Sequence, residues 1–254
     1  MKRWILGAVL ASTWALTGGS LAQAAKEPVC AAPSALTQAR YALPRLAKSL
    51  RTKTPTTILV LNSAKGSKPG SGKDAIARSF PSFIEETLRE RYPDGGIVLT
   101  TRSQPRATAQ AILAVLPKLL AQTRPALMIW QTGTYDAILG ADTSAFSDAV
   151  DAGVDLAHAA GTDVLVVSPQ YSPRTAFAFD VAPYTSALHW AARAAQVPFF
   201  DRYDMMRFWD QEGIFDFDAT PPSPSLFEDV HRCIGRLMVG MIVDGVEMRT
   251  LGSR

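Results

Sequence analysis

From residue 56 onward, five short apolar runs alternate with amphipathic stretches, and nothing else in the chain constrains its fold as strongly. The runs are "TTILVLN" (56–62), "GIVLTTR" (96–102), "ALMIWQTG" (126–133), "TDVLVVSPQ" (162–170) and "VPFFDRY" (197–203). Between them lie helical patterns at 79–93, 105–122, 143–160 and 182–196, with a closing helix at 225–246. Strands that alternate with helices form βαβ units, which imply a parallel sheet covered on both faces with right-handed crossovers. The expected fold class is α/β: a three-layer α/β/α sandwich on a five-stranded parallel sheet, flavodoxin-like in its alternation. No internal repeat or linker divides it, and the "TPPSPS" region within 213–225 reads as an irregular loop.

The first residues add a compartment. "MKRWILGAVLASTWALTGGSLAQAA" carries Lys2 and Arg3, an apolar stretch and Ala22-Gln23-Ala24, the layout of a cleaved secretory signal peptide. The apolar stretch is short for a membrane anchor, and no later one would span a bilayer. The expected division is a signal peptide at 1–24, an N-terminal segment with a helix packed on the domain at 25–54, and the main domain at 55–254. The expected location is the periplasm or the exterior. The net charge of +3 includes Lys2 and Arg3, so the mature chain is near neutral and does not point to nucleic acid. Cys30 and Cys233 are the two cysteines. An even count in an oxidising compartment favours one disulfide tying the N-terminal segment to the last helix; the alternative is two separate buried thiols.

The loop after the first run, "SAKGSKPGSGKD", nearly fits a phosphate-binding G-x-x-x-x-G-K-[ST]. Ser67 would stand at the first Gly and Asp74 at the final Ser/Thr, where a carboxylate would repel a polyphosphate. Pro69 removes a backbone donor from the cradle. The loop therefore reads as a solvated basic loop carrying Lys65, Lys68 and Lys73, and neither a nucleotide nor any other cofactor is expected. There is no clustered Cys/His/Asp set for a metal.

Several segments together resemble the SGNH/GDSL hydrolase family, in particular an exported proteobacterial branch, over roughly residues 28 to 243. "ILVLNSAKG" sits where that family has a strand ending in Gly-Asp-Ser. "LMIWQTGTYDA" resembles its third block, Trp-Gln-x-Gly-Thr-Asn. "VLVVSPQYSPR", "RYDMMRFW" and "HRCIGRLM" are similar to later segments. The resemblance implies the SGNH form of the α/β/α fold and a cleft for esterified glycans or similar polar ligands.

The chemistry is where the chain departs from the family. The nucleophile position of the triplet Asn62-Ser63-Ala64 holds Ala64, whose methyl cannot attack a carbonyl. The family's Asn-x-Gly-x-x-Gly falls on "TRSQPR", with Ser103 and Arg106 at the glycines. In the third block Gly133 is kept, but the oxyanion-hole Asn is Tyr135. Pro222 and Ser225 stand where the family has Asp-x-x-His.

A substitute lies nearby, since "EDVH" gives Glu228-x-x-His231 and Ser63 is one place from the lost nucleophile. A relocated triad of Ser63, His231 and Glu228 is the alternative; against it, His231 lies further along the helix, and Ser63 points opposite to Ala64. The bland reading of His231 is a packing histidine. Gln131, Gln170, Tyr171 and Arg174 fall on strand-end loops and are expected to line the ligand crevice. His158 and His189 read as helix residues, Asp142 as a helix cap, and Trp130, Trp190 and Trp209 as core.

The leading expectation is an exported pseudo-hydrolase that binds a small molecule or glycan, or serves a protein partner. The runner-up is an ester hydrolase such as a carbohydrate O-deacetylase.

Overall fold

The structure, a computed structural model, describes residues 30–52, 54–63 and 78–248. The expected leader at 1–24, Ala64 and the basic loop lie outside the described residues. The elements in chain order are α1 (Ser34–Thr37), α2 (Pro44–Arg51), β1 (Thr56–Asn62), α3 (Phe80–Arg91), β2 (Ile97–Ser103), α4 (Ala109–Thr123), β3 (Leu127–Gln131), α5 (Thr134–Leu139), α6 (Thr143–Ala159), β4 (Asp163–Val167), α7 (Pro173–Ala178), α8 (Ala182–Ala194), β5 (Phe199–Phe200), α9 (Arg202–Gln211) and α10 (Leu226–Glu247).

The five strands form one parallel sheet in the order β2-β1-β3-β4-β5. Side chains alternate across a strand, so β1 feeds two cores. Ile58 and Val60 join a cluster with Ile84, Met206, Trp209 and Ile234, from α3, α9 and α10. Leu59 and Leu61 join the other, with Ile112, Val150 and Leu188 from α4, α6 and α8. This is the three-layer α/β/α arrangement. The α3 and α10 helices approach closely because Gly235 has no side chain; a Cβ there would lie 2.7 Å from the Phe83 Cβ.

Covalent and polar connections hold the N-terminal segment. A disulfide joins Cys30 to Cys233 on α10. Trp209 Nε1 donates to the Ala31 carbonyl at 2.7 Å. The buried Asp163 carboxylate accepts from the N–H groups of Arg45 and Leu46 at 2.8 and 2.9 Å and pairs with the Arg45 guanidinium at 3.2 Å. These bonds satisfy the open N-terminal turn of α2, where free N–H groups have no partner within the helix.

The outer edge of β2 meets α3. Glu85 accepts from the Leu99 N–H at 3.1 Å, and Arg89 Nε donates to the Ile97 carbonyl at 2.8 Å. The two side chains are themselves ion-paired at 2.7 Å, one helical turn apart.

Two expectations change. The fifth strand keeps only Phe199 and Phe200, because the Asp201 carboxylate accepts from the Asp204 N–H at 3.0 Å and caps α9 at once. Trp130 and Trp209 are fully buried, but Trp190 is 65% exposed, on the outer face of α8 rather than in the core. Asp142 caps α6, accepting from the Ala145 N–H at 2.9 Å.

Candidate functional site

In a parallel sheet the crevice lies beyond the carboxyl ends of the strands. Here β1 and β2 end in register, with Asn62 beside Ser103. The Asn62 and Ser63 carbonyls accept from the N–H groups of Gln104 and Arg106 at 2.8 and 3.1 Å. Ser63 is buried, at 7% exposure. Arg106, aligned with a family glycine, takes the left-handed conformation (φ +62°) that a glycine reaches without strain.

At the end of β3, Gln131 is half-buried and Gly133 turns the chain with φ +94°. A Cβ on Gly133 would lie 3.2 Å from Pro169 Cγ, so the turn needs glycine for both conformation and space. Tyr135 follows on α5, half-buried and without a side-chain hydrogen bond among the described residues. Its neighbour Asp136 is buried and accepts from the Ala109 N–H with both oxygens, at 3.0 and 3.3 Å. Burial raises the Asp136 pKa, and the backbone N–H groups oppose that rise. This carboxylate holds the start of α4 and is already committed there.

After β4, Ser168 donates to Asp201 at 3.0 Å, and Gln170 accepts from Arg202 Nη2 at 3.3 Å. Tyr171 donates to Asp210 at 3.0 Å and stands edge-on to Tyr203 at 5.4 Å. Arg174 reaches Thr220 Oγ1 at 3.5 Å. Pro222 and Ser225 are exposed; Ser225 sits at the N-cap of α10 with its hydroxyl 3.2 Å from that of Ser223.

Glu228 and His231 take different partners. Glu228 pairs with Arg232 at 3.1 Å, one turn along α10. His231 Nδ1 accepts from the Phe80 N–H at 3.0 Å and so caps the first turn of α3. Its ring is parallel to that of Phe80 at 5.8 Å and packs on Phe227 at 4.2 Å. An accepting Nδ1 in a neutral imidazole leaves the proton on Nε2. A hydrolytic triad needs the reverse: Nδ1–H donating to a carboxylate and a free Nε2 lone pair facing the nucleophile. Burial, with the Arg202 charge as a second cause, pushes the His231 pKa down to about 3.

Arg202 is the residue that sequence reading missed. It is 3% exposed, its Nε has no acceptor among the described residues, and burial lowers its pKa to about 10. Its guanidinium lies 5.9 Å from the centre of the Phe80 ring. Phe80, His231 and Arg202 therefore form one cluster where α3, α9 and α10 converge. In the sequence Arg202 looks like an ordinary polar residue at the end of a strand run, and nothing in "FFDRY" signals its burial. Among the described residues no group of three or more His, Cys, Asp or Glu side chains could hold a metal ion. Nor is any described helix long and apolar enough to cross a membrane.

Comparison with solved structures places this architecture among esterase folds. A catalytic mutant of Axe2, an acetylxylan esterase from Geobacillus stearothermophilus, superposes with a TM-score of 0.57 at 14% identity, over 80% of this chain and 100% of that one. LAE5, an alpha/beta hydrolase enzyme from the metagenome of Lake Arreo, Spain, gives 0.56 at 12%, over 75% and 96%. A putative lipolytic protein of the G-D-S-L family from Desulfitobacterium hafniense DCB-2 gives 0.50 at 15%, over 72% and 99%. At these identities the likeness concerns the fold. No curated protein matches the sequence. The model of the Non-GDSL lipase-like family matches residues 29–248, a span that includes every described residue. The protein thus has the fold of the SGNH/GDSL esterases and belongs to the Non-GDSL lipase-like family.

Proposed function

We propose that the protein is a catalytically degenerate member of its family, an exported binding or accessory protein that keeps a ligand crevice at the carboxyl edge of the sheet. The observation that carries this is the commitment of His231. Its Nδ1 holds the Phe80 N–H and its pKa is driven far below neutrality, so it has neither the tautomer nor the basicity of a general base. Glu228 is engaged by Arg232 and does not orient the imidazole. The other roles of the SGNH/GDSL blocks fall on Ala64, Ser103, Tyr135, Pro222 and Ser225. The ligand we assign is an esterified glycan or a similar polar molecule, by analogy with the xylan specificity in the name of Axe2. Gln131, Gln170, Tyr171 and Arg174 would line the crevice. The disulfide supports an oxidising compartment, in keeping with the expected leader.

The rival reading is an active ester hydrolase using Ser63, His231 and Glu228. The test is hydrolysis of acetyl and short-acyl esters by the mature protein, beside Ser63→Ala and His231→Ala. We expect no turnover that depends on either residue. Loss of a nucleophile or base costs roughly four to six orders of magnitude in working triads. Wild-type activity abolished by both substitutions, with folding intact, would overturn the proposal.

A further inference from the structure

A cleft of ≈ 390 Å³ runs past β5 at the edge of the sheet. One wall is the segment that contains α1 and continues to Tyr41, and the other is the C-terminal half of α8, with Phe199 and Asp201 between them. The Tyr41 hydroxyl donates to the Arg193 carbonyl at 3.4 Å and ties the walls together. Its volume falls within the range of sites for small ligands.

The charges in the cleft are unevenly committed. Asp201 accepts from Ser168 and from the Asp204 N–H, and burial raises its pKa. Asp204 is paired with Arg207 at 3.1 Å. Arg40 and Arg193, one from each wall, have no carboxylate partner among the described residues. The charge left for a ligand is therefore cationic, on two side chains whose planar forks suit a carboxylate.

Beside Arg193 runs a row of flat rings. Phe199 and His189 stack at 5.6 Å, His189 and Trp190 at 6.3 Å, and the Arg193 guanidinium lies 5.7 Å from the Trp190 ring. Trp190 is 65% exposed, a large apolar face with no core to join. An anion alone would not use the lining rings of that row, His189 and Phe199. A sugar ring would, laying its C–H groups on an aromatic plane while its hydroxyls meet polar side chains such as Gln38 and His189.

We infer that this cleft binds a carboxylate-bearing sugar, a hexuronate unit, with Arg40 and Arg193 on the carboxylate and the lining rings of His189 and Phe199, which Trp190 flanks from outside, against the sugar ring. The inference is independent of whether the carboxyl edge hydrolyses anything, and an esterase result in either direction leaves it standing. The test is titration of the mature protein with glucuronate and galacturonate, followed by NMR shifts and tryptophan fluorescence, with glucose, galactose and inorganic phosphate as controls. A uronate should bind at least about tenfold more tightly than its neutral hexose, since a charge-assisted hydrogen bond is worth that much. Arg40→Gln and Arg193→Gln should each remove most of that difference. Both arginines are exposed, so the melting temperature should not move and folding is not in question. Equal binding of uronate and phosphate would mean an anion site without sugar recognition, and would overturn the inference. So would no saturable binding up to about 100 mM uronate, well above the millimolar range of weak ligands, or binding untouched by the two substitutions.

Discussion

Acid should expose His231. Its pKa in the fold is about 3, against an ordinary value near 6.5 in the unfolded chain. Between those values the unfolded state binds one more proton than the native state, so stability falls as pH falls. The slope for one group is at most ~1.4 kcal/mol per pH unit. From pH 6.5 to 4.5 the loss is therefore at most about 3 kcal/mol, less if water reaches part of the ring. The perturbation is His231→Phe. It keeps a ring between Phe80 and Phe227 but cannot be protonated and cannot accept from the Phe80 N–H. At pH 7 the variant should be less stable by about 1–3 kcal/mol, the cost of a buried donor left unpaired. On acidification the wild type should lose this advantage, and the two stabilities should converge or cross near pH 4.5. The assay is urea unfolding of both proteins at half-unit steps of pH. Asp136, Asp163 and Asp201, whose pKa values burial raises, titrate in both proteins and cancel in the difference. A wild-type minus variant difference that stays constant from pH 7 to 4.5 would refute the reasoning. So would an NMR titration of the folded protein showing His231 protonating near 6.5.

Two further outcomes follow from the packing. Replacing Cys30 and Cys233 by alanine opens a loop with a sequence separation of 203, which in the chain-entropy account is worth roughly 5 kcal/mol as a ceiling; the melting temperature should drop, by at most about 10–20 °C, and no change on reduction would refute that account. Arg202→Met removes a buried guanidinium that has no carboxylate partner among the described residues, so unfolding free energy should stay level or rise; a loss above about 3 kcal/mol would show that the charge has a partner essential to the fold.

The sheet was legible because each strand is a short apolar run bounded by Gly, Pro or polar residues, and the strand-helix alternation leaves few topologies. What the periodicity could not show was the short elements. The α7 and α9 helices depend on local capping: Ser172 and Thr175 form a capping box at α7, and Asp201 caps α9 and cuts short the fifth strand. The site was legible only as a set of positions. Register brings Ser103 to Asn62, as a parallel pairing of the first two strands would suggest. The Glu228-x-x-His231 spacing was a weaker guide, because residues three and four apart on a helix are both neighbours. Arg232 competes for Glu228 and holds it, while His231 turns to the open end of another helix. Arg202 was illegible because its burial is set by α3 and α10, far away in the chain.

The Glu85 and Arg89 pair on α3 does more than brace a helix. An outermost strand offers a row of bare donors and acceptors on which another chain can build, and β2 at seven residues is long enough to serve as such a template. Here one outward N–H, on Leu99, and one outward carbonyl, on Ile97, are already occupied by side chains that also hold each other. An incoming strand that paired through Ile97 and Leu99 would have to break these three polar contacts. At the opposite end of the sheet β5 is only two residues long and offers little to pair with. The sheet is thus guarded against edge-to-edge pairing at both ends: over the first half of β2 by helix side chains, and at β5 by brevity.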